Sequence, residues 1–361
     1  MTTRQFNTDC EGPISKNDNA QELADYFLPE GVEFFARVSK YDDYLADVVE
    51  KPGYKAGDTL KLILPFLRAY GATTQAIEEY SAAHILLIPG SKEAMQHICA
   101  TMPSFIISTS YKPYIRALCE VIGFPIENTY CTELDIDRYD LTRPEVEVLK
   151  QLRGEIVEMP MIDLEEVTAP NQLSSESRRV AERMDEIFWR ALPAWETCSR
   201  MLSEVNPVGG QEKAKAVQDS LRKTRNQIQD TTYIGDSITD VQAFDLVREG
   251  GGLTISFNGN RYAMEHAEIV CLSAHAIVTA VLADVFSEGG KEAVLALASN
   301  WGYRALEQSE AKRELIQEMI RIYPEDLPRV EVLRQENRAQ LIAESETFRK
   351  QVRGEEVGRL G

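Results

Sequence analysis

The chain has 361 residues, long enough for two or three domains, and 43% of them are hydrophobic, which supplies material for a real core. With 39 Lys plus Arg against 58 Asp plus Glu, the formal charge is -19, so no basic footprint exists for nucleic acid or anionic lipid. Six scattered cysteines without a CxxC pair, beside four histidines, argue against a zinc framework and read as reduced thiols.

Residues 1–9 are polar and lack the apolar segment of a secretory leader. No stretch reaches the ~18 to 20 apolar residues that cross a bilayer, so the expected address is the cytoplasm, without membrane insertion. A short segment, 4–8, leads into Asp9-Cys10-Glu11-Gly12-Pro13, and residues 20–99 then show periodic apolar positions such as Leu23, Phe27, Leu60, Ile63 and Leu67. That periodicity predicts a helical insertion. An apolar run at 104–108 (SFIIS) predicts a buried strand followed by a helix over 112–122. A second charged helical tract covers 144–204, with one main helix at 176–201 and with Trp189 and Trp195 as packing residues.

Strand-length runs recur at 232–234, 252–257 and 268–272, each followed by helix-compatible sequence at 238–249, 262–267 and 275–286. Residues 291–361, rich in Ala, Leu, Glu, Arg and Gln, predict a helical extension rather than more sheet, with the end from 353 onward fraying. Alternating strand and helix predicts an α/β fold with a doubly wound parallel sheet. The core takes residues 1–19, 100–143 and 205–290, the helical insertions 20–99 and 144–204, and the C-terminal extension 291–361.

Four clusters carry candidate chemistry. Asp9 and Glu11 place two carboxylates in one turn, where one can attack and the other can move protons; a solvated acidic loop is the plain alternative. In Tyr233-Ile234-Gly235-Asp236-Ser237-Ile238-Thr239-Asp240, a strand ends in two aspartates four apart, suited to a hard cation such as Mg²⁺ or to helix capping. Ser108 and Thr109 end a buried strand and suit a phosphate cradle or an ordinary cap. Lys213, just after Gly209-Gly210, can neutralise phosphate and carboxylate together, although most lysines are merely solvated.

Their order along the chain resembles the four motifs of the haloacid dehalogenase (HAD) superfamily: Asp-x-Glu-Gly, a hydrophobic strand ending in Ser, Lys, then Gly-Asp-Ser-x-x-x-Asp. The spacing of Lys213 and Asp236, with the segment Ile255-Ser256-Phe257-Asn258-Gly259-Asn260, resembles the phosphoserine phosphatase branch. The Asp-x-Glu-Gly-Pro start is similar to that of archaeal HAD-type proteins named energy-converting hydrogenase subunit R. The resemblance implies a HAD-type Rossmann-like core with the helical insertions as caps. It implies Asp9 as nucleophile, Glu11 as general acid and base, and Ser108, Thr109 and Lys213 on the phosphoryl group. It also implies Mg²⁺ held by the Asp9 carboxylate, the Glu11 main-chain carbonyl and Asp236, with Asp240 as ligand or just behind. Glu11 stands where the family more often has Asp, Pro13 removes a hydroxyl and a backbone donor, and residues 4–8 are polar for a central strand.

The leading expectation is a Mg²⁺-dependent phosphatase acting on a small phosphomonoester through an aspartyl-phosphate. The alternative is a non-catalytic accessory subunit of a larger protein complex, such as a hydrogenase. Metal-free dehalogenase chemistry fits less well, because it has no need of the paired Asp236 and Asp240.

Overall fold

The computed structural model describes residues 4–354; residues 1–3 and 355–361, at the ends of the expected core and extension, lie outside the described part. One sheet organises the core. Its strands are β1 (Gln5–Thr8), β2 (Ser104–Tyr111), β3 (Thr129–Thr132), β4 (Thr231–Gly235), β5 (Leu253–Phe257), β6 (Ile269–Leu272) and β7 (Arg329–Val332), in the order β3-β2-β1-β4-β5-β6-β7. All pairings are parallel except β6 with β7. The protein therefore has the doubly wound α/β architecture, with winding direction reversing between β1 and β4. In such sheets the crevice outside the carboxyl ends of those two strands is the ligand-binding place.

Period-two alternation sorts the strand side chains onto two faces. Phe6, Ile106, Ile234, Ile255 and Ile269 enter one apolar cluster, together with Met95 and Ile98 of the helix Ser91–Thr101. Phe105, Ile107, Tyr233 and Val270 enter the other, against Phe244 and Val247. Strand β1 is buried along its whole length despite its polar sequence. The amide of Gln5 is matched by a helix, Gln211–Thr224: Gln5 Nε2 donates to Ser220 Oγ at 2.7 Å, and Thr224 Oγ1 donates to Gln5 Oε1 at 2.6 Å. Buried polar groups that find such partners avoid the desolvation penalty that kept this segment from reading as a central strand.

Local chemistry sets the helix ends. Lys112–Ile122 begins with Pro113 in its first turn and ends at Gly123, whose φ of 73° closes a left-handed cap. Arg143–Glu158 starts at a reciprocal capping box between Thr142 and Glu145.

Helices from both inserted stretches, including Gly31–Asp43, Thr59–Ala69, Arg143–Glu158 and Ser175–Glu186, share one apolar cluster built on Phe34, Tyr41, Phe66, Ile156, Met184 and Phe188. This helical layer lies over the carboxyl edge of the sheet and contributes Phe35, Ser39 and Leu60 to the pocket there. Trp189 packs against the layer and donates from Nε1 to Tyr41 Oη at 2.8 Å.

Three expectations are corrected. The tract 176–201 is not one helix: beyond Glu186 the chain passes through a π turn and a 3-10 turn around Pro193, becomes extended at Trp195 and restarts at Glu196. Proline removes a backbone donor and forces that break. The extension is helical but also adds β7, which shields the edge of β6. The fraying expected from 353 does not reach Arg353, which ends the helix Gln335–Arg353 with its guanidinium hydrogen-bonded.

Candidate active site at the carboxyl edge of the sheet

The crevice between β1 and β4 gathers residues that are far apart in the sequence. Asp9 follows β1 directly, and its N–H donates to Ile234 O of β4 at 2.8 Å, tying the two strand ends together. Its carboxylate accepts from Cys10 N at 2.6 Å through Oδ1 and from Lys213 Nζ at 2.5 Å through Oδ2. Lys213, in the first turn of Gln211–Thr224 and fully buried, also donates to Asp240 Oδ1 at 2.7 Å. Cys10 itself turns into the apolar core.

Asp236 follows β4 on the same rim, and Asp9, Asp236 and Asp240 each offer a carboxylate oxygen within 4.8 Å of the others. Asp240 is already saturated. Its Oδ1 also accepts from Tyr233 Oη at 2.7 Å, while Oδ2 accepts from Asp236 N at 2.9 Å and Ser237 N at 3.0 Å. It thus holds Lys213 and the 236–237 turn in place. Asp236 Oδ2 accepts from Arg349 and, at 3.1 Å, from Arg353 Nη1.

Gly12 makes this approach of two loops feasible. It has φ of 96°, and a Cβ there would lie 2.3 Å from Asp236 Cγ. Gly12→Ala is therefore expected to lose on the order of 1–3 kcal/mol of stability and to displace Asp236, measured by urea denaturation together with divalent-cation titration.

The electrostatics are strained by burial. Desolvation pushes the Asp9 carboxyl up to about 7; Lys213 opposes this, and Asp240 and Asp236 push it further. Burial and then Asp18 push Glu11 well above the usual carboxylate range, against a hydrogen bond from Asn19 N to Glu11 Oε1 at 2.8 Å. Burial alone would lower the Lys213 ammonium, but Asp240 and Asp9 outweigh it and its pKa rises. The carboxyl groups lining the cavity or its rim (Asp9, Glu11, Asp18, Asp42, Asp43, Asp236, Asp240) outnumber the cationic groups there (Lys213, Arg349, Arg353). An all-oxygen donor set with carboxylates in excess fits a hard divalent cation. Asp9 and Asp236 could hold such an ion, whereas each oxygen of Asp240 already accepts two hydrogen bonds.

Asp9, Glu11, Thr109, Ser110 and Asp236 line a cavity of about 100 Å³ with the helical layer. Ser108 stands behind Ser110, donating to its Oγ at 3.1 Å, and Thr109 Oγ1 donates to Val208 O at 3.1 Å. From the helical layer, Asp42 accepts from Tyr54 Oη, Gly57 N and Thr59 N at 2.5, 2.9 and 3.1 Å. Burial pushes its carboxyl up to about 7. Between roughly pH 4 and 7 the folded state therefore holds a proton here that the unfolded chain releases, so stability falls as pH rises through that window. Asp9 acts in the same direction. The urea midpoint is expected to drop from pH 5 to pH 8, and Asp42→Asn to flatten that slope.

Asp9, Lys213, Asp236 and Asp240 thus meet in one network, while Glu11 and Thr109 line the same cavity. Sequence reasoning missed Tyr233, the lining position of Ser110, Asp42 from the helical layer, and the two arginines of the last helix. Tyr233 carried a usable signal, because it lies within the strand that precedes Asp236.

The fold and this carboxylate–lysine rim define the class: a doubly wound α/β protein with a buried acidic cluster at its switch crevice. In comparisons with solved structures, the chain is similar to the structure of gene product AF1437 from Archaeoglobus fulgidus, at 26% identity over 99% of both chains and a TM-score of 0.78. A substrate-bound phosphoserine phosphatase complex is similar over 75% of this chain and 93% of that one, at 11% identity and a TM-score of 0.42. No family model and no curated protein matches.

Proposed function

We propose that the protein is a HAD-type, Mg²⁺-dependent phosphatase that hydrolyses a small phosphomonoester in the cytoplasm through an aspartyl-phosphate. The observation that carries this reading is the convergence of Asp9, Lys213 and Asp236 at the β1–β4 crevice, in the motif order of that superfamily. Bound Mg²⁺ would supply charge neutralisation between the Asp9 and Asp236 carboxylates and the phosphoryl oxygens.

Asp9 attacks phosphorus in line, the ester P–O bond breaks, and Glu11, protonated in its buried setting, gives its proton to the leaving oxygen. The Glu11 carboxylate then takes a proton from water as that water attacks the aspartyl-phosphate, which releases phosphate and restores Asp9. Lys213 neutralises charge on Asp9 and on the incoming phosphoryl group, and Ser110, whose hydroxyl accepts from Ser108, supplies a donor from the cavity lining.

The cavity of about 100 Å³ is smaller than ordinary ligand pockets of about 300–1,000 Å³. In this reading the helical layer is a cap that opens for substrate and closes to exclude water. The test is phosphate release across a panel of phosphomonoesters with and without Mg²⁺. A folded protein that binds Mg²⁺ and releases no phosphate from any of them would instead support the accessory role.

A further inference from the structure

The helix Gln335–Arg353 ends the described chain, and its anchorage is unusual. Of its 19 residues only Leu341, Ser345 and Arg349 are buried. Three of its fastenings are polar and run to the loops at the carboxyl edge. Ser345 Oγ donates to Gly259 O at 2.5 Å. Arg349 Nη1 donates to Asp236 Oδ2, to Asp236 O at 3.2 Å and to Asn258 O at 3.4 Å. Arg353 donates from Nε to Lys16 O at 3.1 Å, from Nη2 to Asn17 O, and from Nη1 to Asp236 Oδ2 at 3.1 Å. The loops after β1, β4 and β5 are thereby laced together by two side chains from one helix.

Those guanidinium groups stand on the carboxylate assigned above to the divalent cation. Like charges brought together in a buried setting repel strongly, and two positive charges on Asp236 oppose a third ion of charge two beside it. Opposing a cation and docking the helix are then two sides of one coupling, equal in size in both directions.

We propose that Arg349 and Arg353 form a built-in counter-ion for Asp236, so that docking of the C-terminal helix and binding of a divalent cation at the crevice oppose each other. This rests on the cation reading of the site. With one buried apolar side chain, Leu341, and three half-buried ones, Ile342, Phe348 and Val352, the helix loosens when its polar fastenings are exchanged for an ion. The arginines are positioning residues in this scheme: they hold Asp236 and its loop while no ion is bound.

The test is calorimetric titration of Mg²⁺ into the full-length protein and the Arg349→Gln/Arg353→Gln variant, with Asp236→Asn as the ligand control. Neutralising the pair is expected to tighten Mg²⁺ binding about tenfold or more. A second measurement needs no variant: in the unmodified protein, saturating Mg²⁺ should speed amide exchange across 335–353 and leave β4 and β5 protected. Equal or weaker binding by the folded variant, or unchanged exchange in that helix while Mg²⁺ binds, overturns the proposal and leaves the cation site standing. Failure of both the protein and the variant to bind Mg²⁺ overturns the cation reading and the proposal together.

Discussion

Replacing Asp9 with Asn is expected to lower phosphate release by at least about 10³-fold while the protein stays folded. Asp9 is the carboxylate that follows β1, faces the cavity and is fixed by Cys10 N and Lys213 Nζ. An amide at that position keeps the size but cannot displace an alkoxide from phosphorus, and removal of a covalent nucleophile typically erases most of the rate. The stability consequence runs the other way. Asp9 is a buried acid held well above its ordinary pKa, so losing its charge relieves desolvation even as Lys213 loses one of two partners. Phosphate release and urea unfolding measured on the same preparation separate the two effects. A residual rate near that of the unmodified protein would remove Asp9 from the role of nucleophile.

Asp240→Ala is expected to have the largest effect on stability, about 3–5 kcal/mol, because it breaks a fully buried pair and strands its partners. The side chain accepts from Lys213 Nζ, Tyr233 Oη, Asp236 N and Ser237 N, and the first three are buried away from water. A loss of that size is a large share of the ordinary 5–15 kcal/mol of a domain. Urea denaturation of Asp240→Ala measures it directly. A change below 1 kcal/mol would show that the network is not the keystone of the rim.

Much of this rim was legible in the sequence. Asp9 and Asp236 each directly follow a strand, Ser108 lies in the carboxyl-terminal half of another, and the carboxyl ends of neighbouring parallel strands must share one edge, so order along the chain translated into proximity in space. Asp9 and Asp236 were readable for that reason, and Lys213 by its place at a helix start after Gly209-Gly210. Strands β3 and β7 were not, since four residues with partial exposure carry little periodic signal. Arg349 and Arg353 were hidden differently. Two arginines four apart in a charged helix look like a solvated face, and only the docking of that helix on the sheet edge reveals what they touch. The break near Pro193 was marked by its residue type, but the helical periodicity on both sides outweighed it.

The polar strand β1 has a bearing on how the protein moves. Gln5 is clasped by Ser220 and Thr224 of the same helix that carries Lys213 in its first turn. Strand and helix are therefore riveted along one seam, with the Asp9 carboxylate at one end and the Lys213 ammonium beside it. If the overlying helices act as the proposed cap, the Asp9–Lys213 spacing is set by this seam of the core and does not wait on their closure.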